Sequence, residues 1–202
     1  MNILPPQLKK LIDALTILPG VGAKSAQRMA LFILQHKRAQ SLILADAIQD
    51  CMQNLVKCIQ CNNFASTPQC DLCQDPQRDA SVICVVESLS DLISIEQTGI
   101  YRGHYFVLSG HLSPIDQIGP EQLHIPKLLS HIHSNPIQEL ILATNATIEG
   151  EATAHYIISH IEKKITISRL ASGVPVGTEL EYLNSHTLYQ ALSERKAVQE
   201  TS

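Results

Sequence analysis

A chain of 202 residues with 45% hydrophobic and 17% charged side chains has the composition of one to three folded domains and excludes a chain that stays disordered. Its formal charge of −4 weighs against a wholly basic nucleic-acid protein, yet residues 1–57 hold seven Lys/Arg against three Asp/Glu, a net of +4 that leaves −8 for the remainder. No run of about 18 apolar residues is present, and the opening MNILPPQLKK lacks the basic-then-apolar order of a signal peptide. The expectation is therefore a cytoplasmic protein with no membrane span, in a compartment where thiols stay reduced.

Leu8, Leu11, Ile12 and Leu15 recur at i, i+3, i+4 and i+7, one face of a helix. Pro19-Gly20-Val21-Gly22 stops it. A second helix is predicted over 24–35 with Met29, Phe32 and Ile33 on its apolar side, and a third over 42–55. A cysteine-rich loop follows at 58–73. From Ser81 the pattern changes to short continuous apolar runs at 82–86, 105–108, 139–143 and 165–167, as expected of strands covered on both faces. Helices are predicted between them, over 89–97, 121–133 and 151–163. Alternation of this kind implies an α/β fold with a mostly parallel sheet. The C-terminal part holds a Gly/Pro-containing loop at 173–177 and one predicted helix over 187–196.

The segment between the first two helices carries chemistry. Gly20 and Gly22 permit a tight bend and a close approach of backbone to a ligand. Free amides at the start of the following helix can point at a phosphate, and Lys24 and Arg28, spaced i, i+4, stand on one face beside them. This is the design of a helix-hairpin-helix unit, which grips the nucleic-acid backbone without reading bases. An ordinary αα-hairpin closed by Pro-Gly is the plain alternative. A P-loop is disfavoured, because Ala23 separates Gly22 from Lys24 and the preceding element is a helix.

Cys58-x-x-Cys61 and Cys70-x-x-Cys73 are eight residues apart. Two such knuckles supply four thiolates to a tetrahedral Zn²⁺ with Zn–S bonds of about 2.3 Å, a closed structural site with no open position for water. A redox Cys-x-x-Cys is the competing reading. Cys51 and Cys84 fall outside the pattern and read as small core residues. Glu87 ends the first buried strand, and Asn145, Glu149 and Glu151 follow the strand at 139–143. Ligand-binding groups collect at such strand ends, and three carboxylates there are a candidate Mg²⁺ site. Equally, Glu149 and Glu151 suit the N-terminal turn of a helix.

The order of helix-hairpin-helix, four-cysteine ribbon and an α/β segment opening with Ile83-Cys84-Val85-Val86-Glu87 resembles the RecR family of bacterial recombination mediators. The strongest matches are LPGVGAKSAQRMA (18–30), YFVLSGHLSPID (105–116), ILATNATIEGEATAHYI (141–157) and GVPVGTELEY (173–182). The resemblance implies a DNA-binding domain at 1–54, a four-cysteine zinc ribbon at 55–78, a Toprim domain at 79–171 and a C-terminal segment at 172–202. It implies DNA contacts by Lys24, Arg28, Gly20 and Gly22, with single or double strands and no sequence preference. Catalytic Toprim domains bind Mg²⁺ with one glutamate and an Asp-x-Asp pair. Glu87 matches the glutamate, whereas Asn145 and Thr147 stand in the aspartate places. A weak Mg²⁺ site or a partner-binding surface at Glu87, Asn145, Glu149 and Glu151 is thus implied, without strand cleavage. The resemblance further implies work with RecO and/or RecF to load RecA onto strands covered by single-strand-binding protein, and homodimers or a ring-shaped homotetramer. A Mg²⁺-dependent Toprim nuclease or primase-like enzyme is the rival expectation.

Overall fold

The computed structural model of the chain describes residues 3–171, 173–193 and 195. They fall into two compact units, Met1–Leu55 and Val56–Ser202. Among the described residues no helix is long and apolar enough to cross a membrane.

The first unit is helical: α1 (Pro6–Leu15), α2 (Ala23–His36) and α3 (Arg38–Asn54). Pro6 lies in the first turn of α1, where a missing N–H costs no helical bond. Ile12, Ala26 and Ala30 are buried together, with Leu4, Leu8, Leu11, Leu15 and Val21 packed around them. The expected apolar side of α2 is therefore displaced. Ala26 and Ala30, one turn apart, have no bulk beyond Cβ and let α1 approach closely, whereas Met29 and Phe32 are turned outward and exposed. Helix α3 begins four residues before its predicted start and buries none of its residues. Leu42, Ile43, Leu44, Ile48 and Met52 are exposed along it, and Cys51 is an exposed thiol, not a core residue.

The second unit is built on a four-stranded parallel sheet in the order β4-β3-β5-β6. Its strands are β3 (Asp79–Val86), β4 (Gly103–Val107), β5 (Glu139–Ala143) and β6 (Thr166–Arg169). Before them stand a two-stranded antiparallel ribbon, β1 (Val56–Lys57) and β2 (Phe64–Ala65), and the one-turn helix α4 (Asp71–Gln74). Helices α5 (Leu89–Gln97), α6 (Ile125–Ser134) and α7 (Ile148–Ser159) connect the strands. One sheet face, with Ile83, Val85, Phe106, Leu140 and Leu142, packs on Leu128 and Ile132 of α6 and Ala154 and Ile157 of α7. The other face, with Cys84, Val86, Tyr105, Val107 and Ala143, packs on Leu92 of α5. Both faces are covered, as the unbroken apolar runs require.

Helix α5 occupies the predicted span because Ser88 and Asp91 form a reciprocal capping box at its start. Helix α6 starts at Ile125, four residues later than predicted; His124 is left-handed (φ 54°) and Pro126 opens the helix. Helix α7 starts three residues early, because the Thr147 hydroxyl accepts the Gly150 N–H at 3.1 Å and caps it. The last helix, α8 (Ser185–Ser193), follows a 3₁₀ turn at Leu180–Tyr182. Glu194 and Lys196, within its predicted span, lie outside the described residues.

Candidate nucleic-acid interface, thiolate cluster and acidic cleft

The bend between α1 and α2 is a turn closed by the Val21 N–H donating to the Leu18 carbonyl at 3.1 Å. Gly20 has φ +78°, the left-handed geometry that the third position of a Pro-Gly turn demands. Gly22 differs: its φ is −83°, it is the N-cap of α2, and no side chain caps that helix end. A Cβ added at Gly22 would meet nothing within 4 Å. The residue leaves open space in front of the first-turn amides. Gly20, Gly22, Lys24 and Arg28 are all exposed. Lys24 and Arg28 line one groove of α2 together with Gln27, Leu31 and Phe32. Among the described residues neither cation is in an ion pair. Two cations and a row of amides are thus presented to solvent on one side of a helix start, a suitable arrangement for an anion.

Cys58, Cys61, Cys70 and Cys73 bring four Sγ atoms within 4.8 Å of one another. The Cys61–Cys70 and Cys58–Cys73 sulfur pairs are 3.4 and 3.9 Å apart, against about 3.8 Å for the edge of a tetrahedron with 2.3 Å bonds. All four residues are buried, and the small core around them adds only Ala65 and the partly buried Leu72. Donation from Cys73 holds the Cys61 thiol down to about 5, while burial pushes Cys70 up to about 12 and donation to Cys61 pushes Cys73 up. A cluster that resists carrying four charges by itself fits a cation at its centre, so these four residues can hold a metal ion.

The ribbon docks on the sheet at a definite place. Strand β4 is an edge strand, and its Val107 N–H donates to the Cys61 carbonyl at 2.8 Å. The Asn62 side-chain amide donates to the Val107 carbonyl at 2.8 Å, and the Lys127 ammonium to the Cys58 carbonyl at 3.2 Å. Asn62 is itself buried and left-handed, with φ 63°. The knuckle therefore satisfies backbone groups that an open sheet edge would leave unpaired.

The acidic residues do not converge. Among the described residues the four cysteines are the one group of three or more His, Cys, Asp or Glu placed to share an ion. Glu87 is 3% exposed and is occupied by amides. Its Oε1 accepts the Asn145 backbone N–H at 2.9 Å and its Oε2 the Asn145 side-chain amide at 2.6 Å, with His111 Nδ1 at 3.5 Å. Glu151 is paired instead with Arg169, two bonds of 2.5 and 2.6 Å, which hold its carboxyl below the usual range. Glu149 is exposed in the first turn of α7. The helix-start reading of these two glutamates is the one their positions match.

Sequence reasoning missed Gly150. A Cβ there would lie 2.1 Å from the Asn145 carbonyl oxygen and 2.8 Å from Glu87 Oε1, so the glycine lets α7 start against the Glu87–Asn145 pair. Gly150→Ala is expected to force that backbone apart, at a cost of about 2 kcal/mol. In thermal denaturation this would read as a midpoint roughly 4–8 °C lower; an unchanged midpoint would show that the contact is dispensable.

Comparison with known proteins gives a consistent result. A model of the RecR helix-hairpin-helix matches residues 8–52, a Toprim domain model matches 81–171 and a RecR C-terminal model matches 173–196. The recombination protein RecR of Coxiella burnetii is 51% identical over 197 residues, covering 96% of this chain and 98% of its own length. Those of Psychrobacter cryohalolentis and Hydrogenovibrio crunogenus are each 50% identical over 194 residues, covering 96% of this chain and 98% of their own. With half of its residues shared over nearly its full length, the chain belongs to the RecR family.

Proposed function

We propose that the protein is a non-catalytic, cytoplasmic mediator of recombinational DNA repair. It binds single- and double-stranded DNA without sequence preference and acts with RecO and/or RecF to load RecA onto strands covered by single-strand-binding protein. The observation that carries this reading is the exposed start of α2, where Lys24 and Arg28 flank uncapped amides beyond Gly20 and Gly22. In this reading residues 1–54 hold DNA, 55–78 form a ribbon around structural Zn²⁺ held by the four cysteines, 79–171 form the partner-binding Toprim domain, and 172–202 form a C-terminal segment. Zinc supplies four bonds that take the place of a larger core.

The lack of a catalytic reaction is supported by how the Toprim residues are used. Asn145 directs both amides to Glu87, and the Thr147 hydroxyl is engaged in the cap of α7. Two-metal chemistry needs free carboxylates at such positions, so Mg²⁺ binding at Glu87, Asn145, Glu149 and Glu151 is weak at most, and this surface serves partners.

Self-association follows from exposed apolar surface. Leu42, Ile43, Leu44, Ile48 and Met52 on α3, and Val176, Leu180 and Tyr182 near the C-terminus, are exposed, and apolar surface of this kind is what subunit contacts cover. One hairpin makes few phosphate contacts and binds weakly; a dimer or ring-shaped tetramer multiplies those contacts through effective concentration.

The test is RecA filament assembly on single strands covered by single-strand-binding protein, with this protein, with RecO, and with both. Both together are expected to abolish the lag that either alone leaves in place. Equal lags in all three, or cleavage of the strand in Mg²⁺, would overturn the reading.

A further inference from the structure

Beside the Glu87–Asn145 pair lies a cleft of about 400 Å³. One wall comes from the ribbon and the other from the loop after β4. Lys57 and Phe64 are direct cross-strand partners in the β1–β2 ribbon, so their side chains share a face. The Lys57 ammonium sits 3.9 Å from the centre of the Phe64 ring, which is 50% exposed although it belongs to a buried-cysteine ribbon. The Asn63 side chain fixes this aromatic, accepting the Phe64 N–H at 2.7 Å.

The opposite wall carries Ser109, Gly110 and His111. Ser109 has φ 66°, a left-handed conformation that costs a non-glycine residue energy and persists where its surroundings hold it, often beside a ligand. Its hydroxyl is reached by Lys57 Nζ at 3.3 Å and by the buried Asn62 amide at 3.5 Å. The two carboxylates that also line the cleft are tied to other groups: Glu87 accepts from the Asn145 amides with His111 Nδ1 at 3.5 Å, and Asp91 accepts from the Ser88 N–H and hydroxyl at 2.8 and 2.7 Å. Among the described residues Lys57 is in no ion pair with a carboxylate; its direct contacts are a hydroxyl and a ring, and the Cys61 sulfur acts on it from further off.

A half-exposed aromatic ring beside a cation that no carboxylate pairs suits a ligand that joins a π surface to an anion. We infer that this cleft is a second nucleic-acid site, which takes one unpaired nucleotide of a single strand with its base stacked on Phe64 and its phosphate on Lys57. The inference rests on the DNA-binding reading and goes beyond it, because it supplies strand discrimination. A duplex offers the same phosphates to α2 but keeps its base faces inside the stack. A single strand offers both. Every base has a π face, so the site discriminates strandedness without reading sequence.

The test uses the full-length, metal-containing protein with an oligothymidylate carrying one 5-iododeoxyuridine, and with a duplex of the same length. Irradiation of the single-strand complex is expected to attach the probe to Phe64, within the tryptic peptide spanning residues 58–78. Phe64→Ala is expected to weaken single-strand binding by about tenfold while duplex affinity stays within about twofold, and Phe64→Trp to restore it. Cross-links confined to other peptides, or equal losses on both DNA forms, would overturn the inference. Should Phe64→Ala lose its metal or its cooperative melting, the cross-link in the parent protein and the Trp variant decide. A parent protein that holds neither DNA form would overturn the DNA-binding reading as well, whereas duplex binding with no Phe64 cross-link removes the cleft alone.

Discussion

Double substitution of Lys24 and Arg28 by alanine is expected to lower affinity for single-stranded and duplex DNA by about tenfold or more at physiological salt, since each charged hydrogen bond lost is worth about 1.5–3 kcal/mol. The same variant should flatten the dependence of affinity on salt. Two phosphate contacts fewer per subunit reduce the slope of log K against log salt by about 1.8 on duplex and about 1.4 on single strands. Both side chains are exposed and in no ion pair among the described residues, so stability should stay within about 0.5 kcal/mol of the parent and metal content should not change. Titration of labelled DNA at several salt concentrations, beside thermal denaturation and metal analysis, measures all three. Unaltered affinity with an unaltered salt slope would remove the hairpin from the DNA interface. A lowered affinity accompanied by a lowered melting point would instead mean that the cations support the fold. The combined readout separates this site from the ribbon cleft: hairpin variants should lose both DNA forms, and Phe64 variants only one.

Much of this arrangement is legible in the sequence, for identifiable physical reasons. The bend at 19–22 and the cysteine pairs are local: a Pro-Gly turn and Cys-x-x-Cys knuckles constrain geometry within a few residues. Strand β5 (Glu139–Ala143) and helix α5 (Leu89–Gln97) match their predicted spans because an unbroken apolar run and a capping box mark their ends. What is not legible depends on which partner an element meets. Periodicity places Met29 and Phe32 on the buried side of α2, but the helix that packs there needs the small Ala26 and Ala30. Cys51 reads as a core residue, but it is exposed on a helix that buries none of its residues. Glu87, Glu149 and Glu151 lie near two strand ends in sequence, yet three-dimensional placement sends Glu151 to Arg169 and gives Glu87 to Asn145. The role of Gly150 has no sequence signal at all: its φ is not positive, and only the nearness of the Asn145 carbonyl reveals it.

Removal of the metal is expected to have the largest effect on the second unit. The ribbon has almost no apolar core: four cysteines, Ala65 and a share of Leu72. Structural zinc sites contribute about 10–16 kcal/mol, as much as the whole stability of a typical domain, about 5–15 kcal/mol. Without the metal, burial opposes ionisation of Cys70 and donation to Cys61 opposes that of Cys73, which leaves a few hydrogen bonds, such as Ile59 N–H to the Pro68 carbonyl and Gln69 to Gln60, to hold the knuckles together. The loss spreads because Cys61 and Asn62 clasp both backbone groups of Val107 on edge strand β4. Freed of them, that edge becomes a template for pairing with another chain. Chelation, or Cys73→Ser, should therefore abolish the cooperative melting of this unit and produce light scattering on warming, and zinc added back before heating should reverse the chelated case. Asn62→Gly is the informative companion. It keeps the left-handed backbone that φ 63° requires and the four thiols, but removes the clasp on the Val107 carbonyl; its cost should be about 1–3 kcal/mol with full metal content. Calorimetry with and without chelator, run beside scattering at a wavelength clear of protein absorbance, measures both variants. If the chelated protein melts at the parent temperature without scattering, the ribbon is an appendage and the edge of the sheet is protected by some other means.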